Sequence, residues 1–185
     1  MILAIDTSAA RSALALLEGD QVLAEVVKTS GQEFDVAAEA SALLPEPKRL
    51  QGVLIAVGPG SFTGLRQGIS FGVGLAMGLR VPLLGVGSLE LTAARARVPA
   101  TAVIEAGRGR VFYLTPAGER GAAEIGALPA QWPVVGWLKS SPPGLIPESE
   151  QVSFGAAVRE VEASARRVAY GTVKADYMQD FGQLN

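Results

Sequence analysis

Residues 53–79 constrain the chain most tightly. Val53 to Val57 is continuously apolar, as suits a central strand buried on both faces. The glycine-rich turn Gly58-Pro59-Gly60-Ser61-Phe62-Thr63 follows, and then a predicted helix over Gly64–Leu79. In that helix Gly64, Gly68, Gly72 and Ala76 recur every fourth position. At 3.6 residues per turn each step drifts only about 40°, so the four form one stripe nearly free of side chains. A glycine inside a helix costs about 1 kcal/mol relative to alanine, so the segment needs close packing to hold. The opposite face carries Leu65, Ile69, Val73 and Leu79, which we expect to face the protein's own sheet. The bare stripe, with the turn before it, is then expected to receive another chain. The alternative is that the stripe itself lies on the sheet.

The rest of the chain supplies that sheet. Ile2 to Ile5 is a second buried run, ending in the short polar turn Asp6-Thr7-Ser8. Ser12–Leu17 and Gln21–Lys28, separated by Glu18-Gly19-Asp20, extend it into a three-strand meander. Ser30-Gly31-Gln32-Glu33 has capping-box spacing ahead of a helix through Val36, Ala40, Leu43 and Leu44. Beyond the glycine-rich helix come a strand at Leu83–Val86 and a helix from Ser88 to about Arg97. The order β-β-β-α-β-α-β-α predicts an α/β domain, a mixed sheet with helices on its faces, over residues 1–97. Residues 98–185 are patterned more weakly. Strands are expected at Thr101–Glu105 and Val111–Thr115, an irregular proline-rich link at Pro129–Pro147, and a helix over Phe154–Tyr170 ended by Gly171. This half reads as an eroded copy of the first.

Three places offer chemistry. A strand, a glycine-rich turn and a helix together aim free amides at an anion, yet Leu65-Arg66 stand where a P-loop needs lysine and a hydroxyl. Asp6, Thr7 and Ser8 end the first strand, where oxygens could hold a nucleotide's Mg²⁺–phosphate, although the same residues also build simple polar turns. Glu105 ends the corresponding strand of the second half. Composition excludes much else. With no cysteine and no histidine there is no thiolate, no imidazole base, no Ser-His-Asp triad and no HExxH zinc site. A net charge of −2 argues against a self-sufficient RNA binder. Mean hydropathy is +0.30, but the longest apolar stretch, Gly64–Leu79, would span only about 24 Å and carries Arg66. Ile2–Asp6 lacks the features of a secretory signal, so the expectation is a cytoplasmic protein, off the membrane, whose excess apolar surface is covered by a partner.

Ile2-Leu3-Ala4-Ile5-Asp6-Thr7-Ser8 and Gly58-Pro59-Gly60-Ser61-Phe62-Thr63-Gly64-Leu65-Arg66, with Gly68-Ile69 and Val86-Gly87-Ser88-Leu89, resemble the TsaB (YeaZ) family over about residues 1–95. The resemblance implies the actin-like, Hsp70-like ATPase fold in two ribonuclease-H-like halves, the second degenerate. It implies a non-catalytic accessory subunit, with no cofactor of its own, in making threonylcarbamoyladenosine beside the tRNA anticodon. Its partners would be the catalytic paralogue TsaD, the ATPase TsaE and a second copy of itself, with tRNA met only through that complex. The docking surface carried over comprises Gly60, Ser61, Phe62, Thr63, Gly64, Leu65, Arg66, Gly68, Gly72 and Ala76. TsaD holds its metal through a histidine pair, a role a chain without histidine does not inherit. The alternative is an autonomous ATPase or small-molecule kinase of the same fold, which would need a second phosphate loop near Glu105-Ala106-Gly107-Arg108-Gly109.

Overall fold

The computed structural model describes residues 1–31, 34–139 and 141–178. It is built on two sheets. The first contains β1 (Ile2–Asp6), β2 (Arg11–Glu18), β3 (Gln21–Thr29), β4 (Gly52–Ala56), β5 (Leu83–Val86) and β10 (Arg166–Val168), in the order β10-β5-β4-β1-β2-β3. β1 runs antiparallel to β2 and parallel to β4, with Ile5 opposite both Leu14 and Ile55. The second contains β6 (Thr101–Gly107), β7 (Arg110–Leu114), β8 (Arg120–Glu124) and β9 (Val134–Val135), in the order β8-β7-β6-β9. β6-β7-β8 is an antiparallel meander and β9 lies parallel to β6. That repeats the order β3-β2-β1-β4 of the first sheet, which gives the expected copy a concrete form.

Alternation along the central strands sorts side chains by size. Leu3, Ile5, Leu14, Leu16, Val53 and Ile55 pack on one face, under α1 (Val36–Leu43) and α2 (Phe62–Leu79). Ala4, Ala13, Ala15, Leu54 and Ala56 point the other way, to α3 (Ser88–Ala93), α4 (Phe154–Glu162) and the second sheet. The small side chains on that face let Phe112, Trp137 and Phe154 fill the layer between the sheets.

Several expectations change. The helix from Ser88 stops at Ala93, and the carbonyl of Arg95 instead accepts the Val152 amide. The helix from Phe154 ends at Glu162. The chain then turns through Ser164, and Arg166–Val168 pairs with β5, so the last segment returns to the first sheet. Gly171 consequently lies in a 3₁₀ turn rather than at a helix end. The N-cap of α1 is Asp35, whose carboxylate accepts from Ala37 N and Ala38 N; Glu33 of the expected capping box lies outside the described residues.

The largest correction concerns α2, because its glycine stripe faces inward. Gly68, Gly72 and Ala76 are buried together with Leu65. A Cβ on Gly64 would strike the carbonyl oxygen of Thr7, one on Gly68 the hydroxyl of Thr7, and one on Gly72 a methyl of Ile55. Packing on the protein's own sheet is what offsets the poor helix propensity. Gly74 and Gly78 have nothing within 4 Å of a Cβ and face outward. Urea unfolding should therefore separate the two classes. Gly74→Ala is expected to stabilise by about 1 kcal/mol. Gly72→Ala should destabilise, because overpacking of about 1–3 kcal/mol outweighs the propensity gain. Gly64→Ala should cost still more, since the obstructing atom belongs to the backbone.

A candidate docking surface on the second helix

The start of α2 is fastened to the end of β1. Ser61 caps the helix through its hydroxyl, which accepts from Gly64 N at 3.3 Å, while Ser61 N donates to Ser8 O at 2.8 Å. The Thr7 hydroxyl donates to Gly64 O at 2.6 Å. At the other end Arg80 adopts a left-handed conformation, φ 58°, and its amide reaches Ala76 O and Met77 O. The turn is covered from a third direction by the C-terminal segment. Asp176 N donates to Val57 O at 2.7 Å, and its carbonyl lies where a Cβ on Gly58 would stand. Gly58 has φ +117°, a conformation that favours glycine on its own account.

The residues first assigned to docking therefore divide. Gly60, Gly64, Leu65, Gly68, Gly72 and Ala76 contact the protein's own β1, the turn that follows it or β4, or are buried on that side. Ser61, Phe62, Thr63 and Arg66 face outward. Phe62 is 50% exposed; the Arg66 guanidinium lies 3.8 Å over its ring, and the Tyr177 ring sits 5.3 Å away, tilted by 34°. Further along, Ser70, Gly74 and Gly78 form a second row of small residues, this one exposed, beside Met77 at 53% exposure. Ile69 and Val73, expected against the sheet, are half-buried at its margin. Sequence reasoning missed Ser70, Gly74, Met77, Gly78 and Tyr177. The four-residue spacing of Ser70, Gly74 and Gly78 was a usable signal, but only the stripe nearest the turn was counted.

Asp6, Thr7 and Ser8 do not line an open cleft. They are 3%, 3% and 1% exposed, and Asp6 Oδ1 accepts from Ser8 N at 2.8 Å, the local polar turn that was the simpler reading. Burial holds the Asp6 carboxyl above the ordinary carboxylate range, an effect that the Ser8 bonds and the Arg95 charge offset only in part. Arg95 is itself buried, its guanidinium 3.8 Å over the Trp137 ring, and burial lowers its pKa to about 10 against the pull of Glu148 and Asp6. Glu105 is engaged elsewhere, accepting from Lys139 N at 2.7 Å.

The sign of the Asp6 shift fixes a pH dependence. A carboxyl raised by folding lowers stability above its unfolded pKa and not below it. Asp6→Asn keeps the acceptor for Ser8 N and removes the charge. Its stability relative to wild type should rise between about pH 3 and pH 7, as read from thermal unfolding. Thr7→Val, which leaves Gly64 O without that hydroxyl, should cost about 1 kcal/mol at any pH.

Residues 34–125 match the family model described as TsaD, tRNA N6-adenosine threonylcarbamoyltransferase. The tRNA threonylcarbamoyladenosine biosynthesis protein TsaB of Bacillus subtilis (strain 168) is 37% identical over 120 residues, 60% of this chain. That match spans about half the length of the relative, 52%. YeaZ from Pseudomonas aeruginosa superposes with a TM-score of 0.72 at 21% identity, over 95% of this chain and 98% of that one. A second structure, described as an uncharacterized protein with similarity to peptidase YEAZ from the same organism, gives 0.72 at 20% identity over 96% and 99%. These likenesses establish the actin-like, ribonuclease-H-like α/β fold. With the glycine-rich turn and its helix in place, the chain resembles TsaB/YeaZ proteins in both sequence and fold.

Proposed function

We propose that this protein is an accessory subunit of the machinery that transfers a threonylcarbamoyl group to the adenosine beside the tRNA anticodon. In this reading it holds a TsaD-type catalytic subunit through the outer face of α2, and a TsaE-type ATPase joins that pair. The supporting observation is the two-sidedness of α2: its inner glycines fasten it to β1 and β4, while its outer face presents Phe62, Arg66, Ser70, Gly74, Met77 and Gly78. Small residues flanked by Phe62 and Met77 allow a second helix to approach closely and bury apolar area. Covering an exposed phenylalanine and an adaptable methionine with a partner gains apolar area removed from water.

The alternative of an autonomous ATPase or kinase gains less support. The groups that would meet a nucleotide at the end of β1 are buried and bonded to the chain's own turn and helix. Among the described residues no three acidic side chains converge as a metal site, and no helix is long and apolar enough to cross a membrane.

Gly74→Leu adds bulk where the space is open, and Met77→Glu places a charge at the far end of the outer face. Each is expected to weaken binding to a TsaD-type protein at least tenfold, about 1.4 kcal/mol, without lowering the melting temperature. Isothermal titration calorimetry and thermal unfolding read the two quantities. Threonylcarbamoylation of tRNA by the reconstituted proteins should fall in parallel. Binding that survives both substitutions would remove α2 from the interface, and ATP turnover by the chain alone would favour the alternative.

A further inference from the structure

Charge is unevenly distributed over the chain. Residues 76–88 and 163–175 contain four cations, Arg80, Arg166, Arg167 and Lys174, and no carboxylate. The remaining twelve cations face eighteen carboxylates, so these two stretches are locally positive within a chain of net charge −2. The fold brings those stretches together. β10 pairs with β5, setting Arg166 opposite Gly85 and Arg167 opposite Leu84, so that the two side chains flank the edge of the first sheet from its two faces. The Tyr170 hydroxyl donates to Val81 O at 2.6 Å, tying the following turn to the residue after Arg80. Val173, next to Lys174, packs in the same apolar cluster as Leu79, Val81 and Tyr170. All four cations are exposed, and none pairs with a carboxylate among the described residues. The partial negative charge at the end of α2 compensates at most about half a unit of Arg80.

Two uses of an edge rich in arginine compete. Addition of a partner strand needs a long free edge, whereas β10 has three residues, about 10 Å. Strand addition is therefore disfavoured. Unpaired cations drawn from three segments suit a ligand whose own charge repeats along its length. The patch also continues from the end of α2, where Met77 closes the proposed docking face.

We propose that Arg80, Arg166, Arg167 and Lys174 form an electrostatic contact for the phosphate backbone of RNA, extending onto this subunit the path of the tRNA held by its partner. The inference rests on the accessory-subunit reading above. The patch is sequence-independent: it adds affinity and orients the RNA without reading bases.

The test uses the chain assembled with a TsaD-type protein and a fluorescein-labelled tRNA transcript, followed by anisotropy as salt rises from about 50 to about 200 mM. Arg166→Glu/Arg167→Glu should lower RNA affinity about tenfold or more and flatten the logarithmic salt dependence by about two units. Arg80→Glu/Lys174→Glu, on separate segments, should do the same. Lys48→Glu, an exposed cation in the 3₁₀ turn Pro47–Arg49, serves as control and should change affinity less than about twofold. Unchanged RNA affinity in both double variants, or an equal loss in the control, overturns the proposal. Loss of the protein partner from the double variants overturns it too, by showing that the patch meets an acidic protein surface. Failure of the wild-type chain to assemble with a TsaD-type protein at all would instead overturn the accessory-subunit reading, so the two failures are distinguishable.

Discussion

The contact between the glycine face of α2 and the end of β1 sets the geometry of the molecule. Helix and strand approach until only hydrogens fit between Gly64 and the Thr7 carbonyl, and between Gly72 and Ile55. Three consequences follow from that distance. The Thr7 hydroxyl finds a partner on the helix backbone, Asp6-Thr7-Ser8 is covered, and the helix is fixed in rotation about its own axis. Rotation decides which residues are left outside. With the glycines inward, Phe62, Met77 and the small row between them face away from the sheet.

The far side of the same sheet shows a complementary economy of volume. Alanines on β1, β2 and β4 leave room for Phe112, Trp137 and Phe154 from the second half. The stack of Arg95 on Trp137 sits in that layer, held near Asp6 in surroundings where neither charge is fully hydrated. Buried side chains thus occupy the end of β1, the position first read as a candidate phosphate site. The fold alone therefore carries no nucleotide chemistry to this position, whose polar groups are bonded within the chain's own turn and helix.

Much of the fold was legible in the sequence because the strands of the first half are short apolar runs separated by strong turn residues. Ile2–Ile5, Ser12–Leu17 and Val53–Val57 all lie in or overlap observed strands. β8 was not legible: Gly121, Ala122 and Ala123 lack the β-branched and aromatic residues that mark a strand, and pairing with β7 supplies the structure instead. β10 was absorbed into the preceding helical pattern because its role depends on a distant edge, that of β5. The orientation of α2 failed for a different reason. Apolar residues flank both of its sides, so hydrophobicity could not choose a face, and only the atoms opposite each missing Cβ could. The turn of Asp6-Thr7-Ser8 was foreseen as one of two readings, and burial decided between them.

Side-chain accessibility gives the most direct measurement. Hydroxyl-radical footprinting with mass spectrometry reports oxidation of Phe62, Met77 and Tyr177 in the chain alone and after addition of a TsaD-type protein. If the outer face of α2 is the docking surface, oxidation of Phe62 and Met77 falls sharply on assembly, while exposed residues on other elements, such as Leu23 on β3, keep their reactivity. Undiminished oxidation of Phe62 and Met77 in a demonstrably formed complex would contradict that assignment.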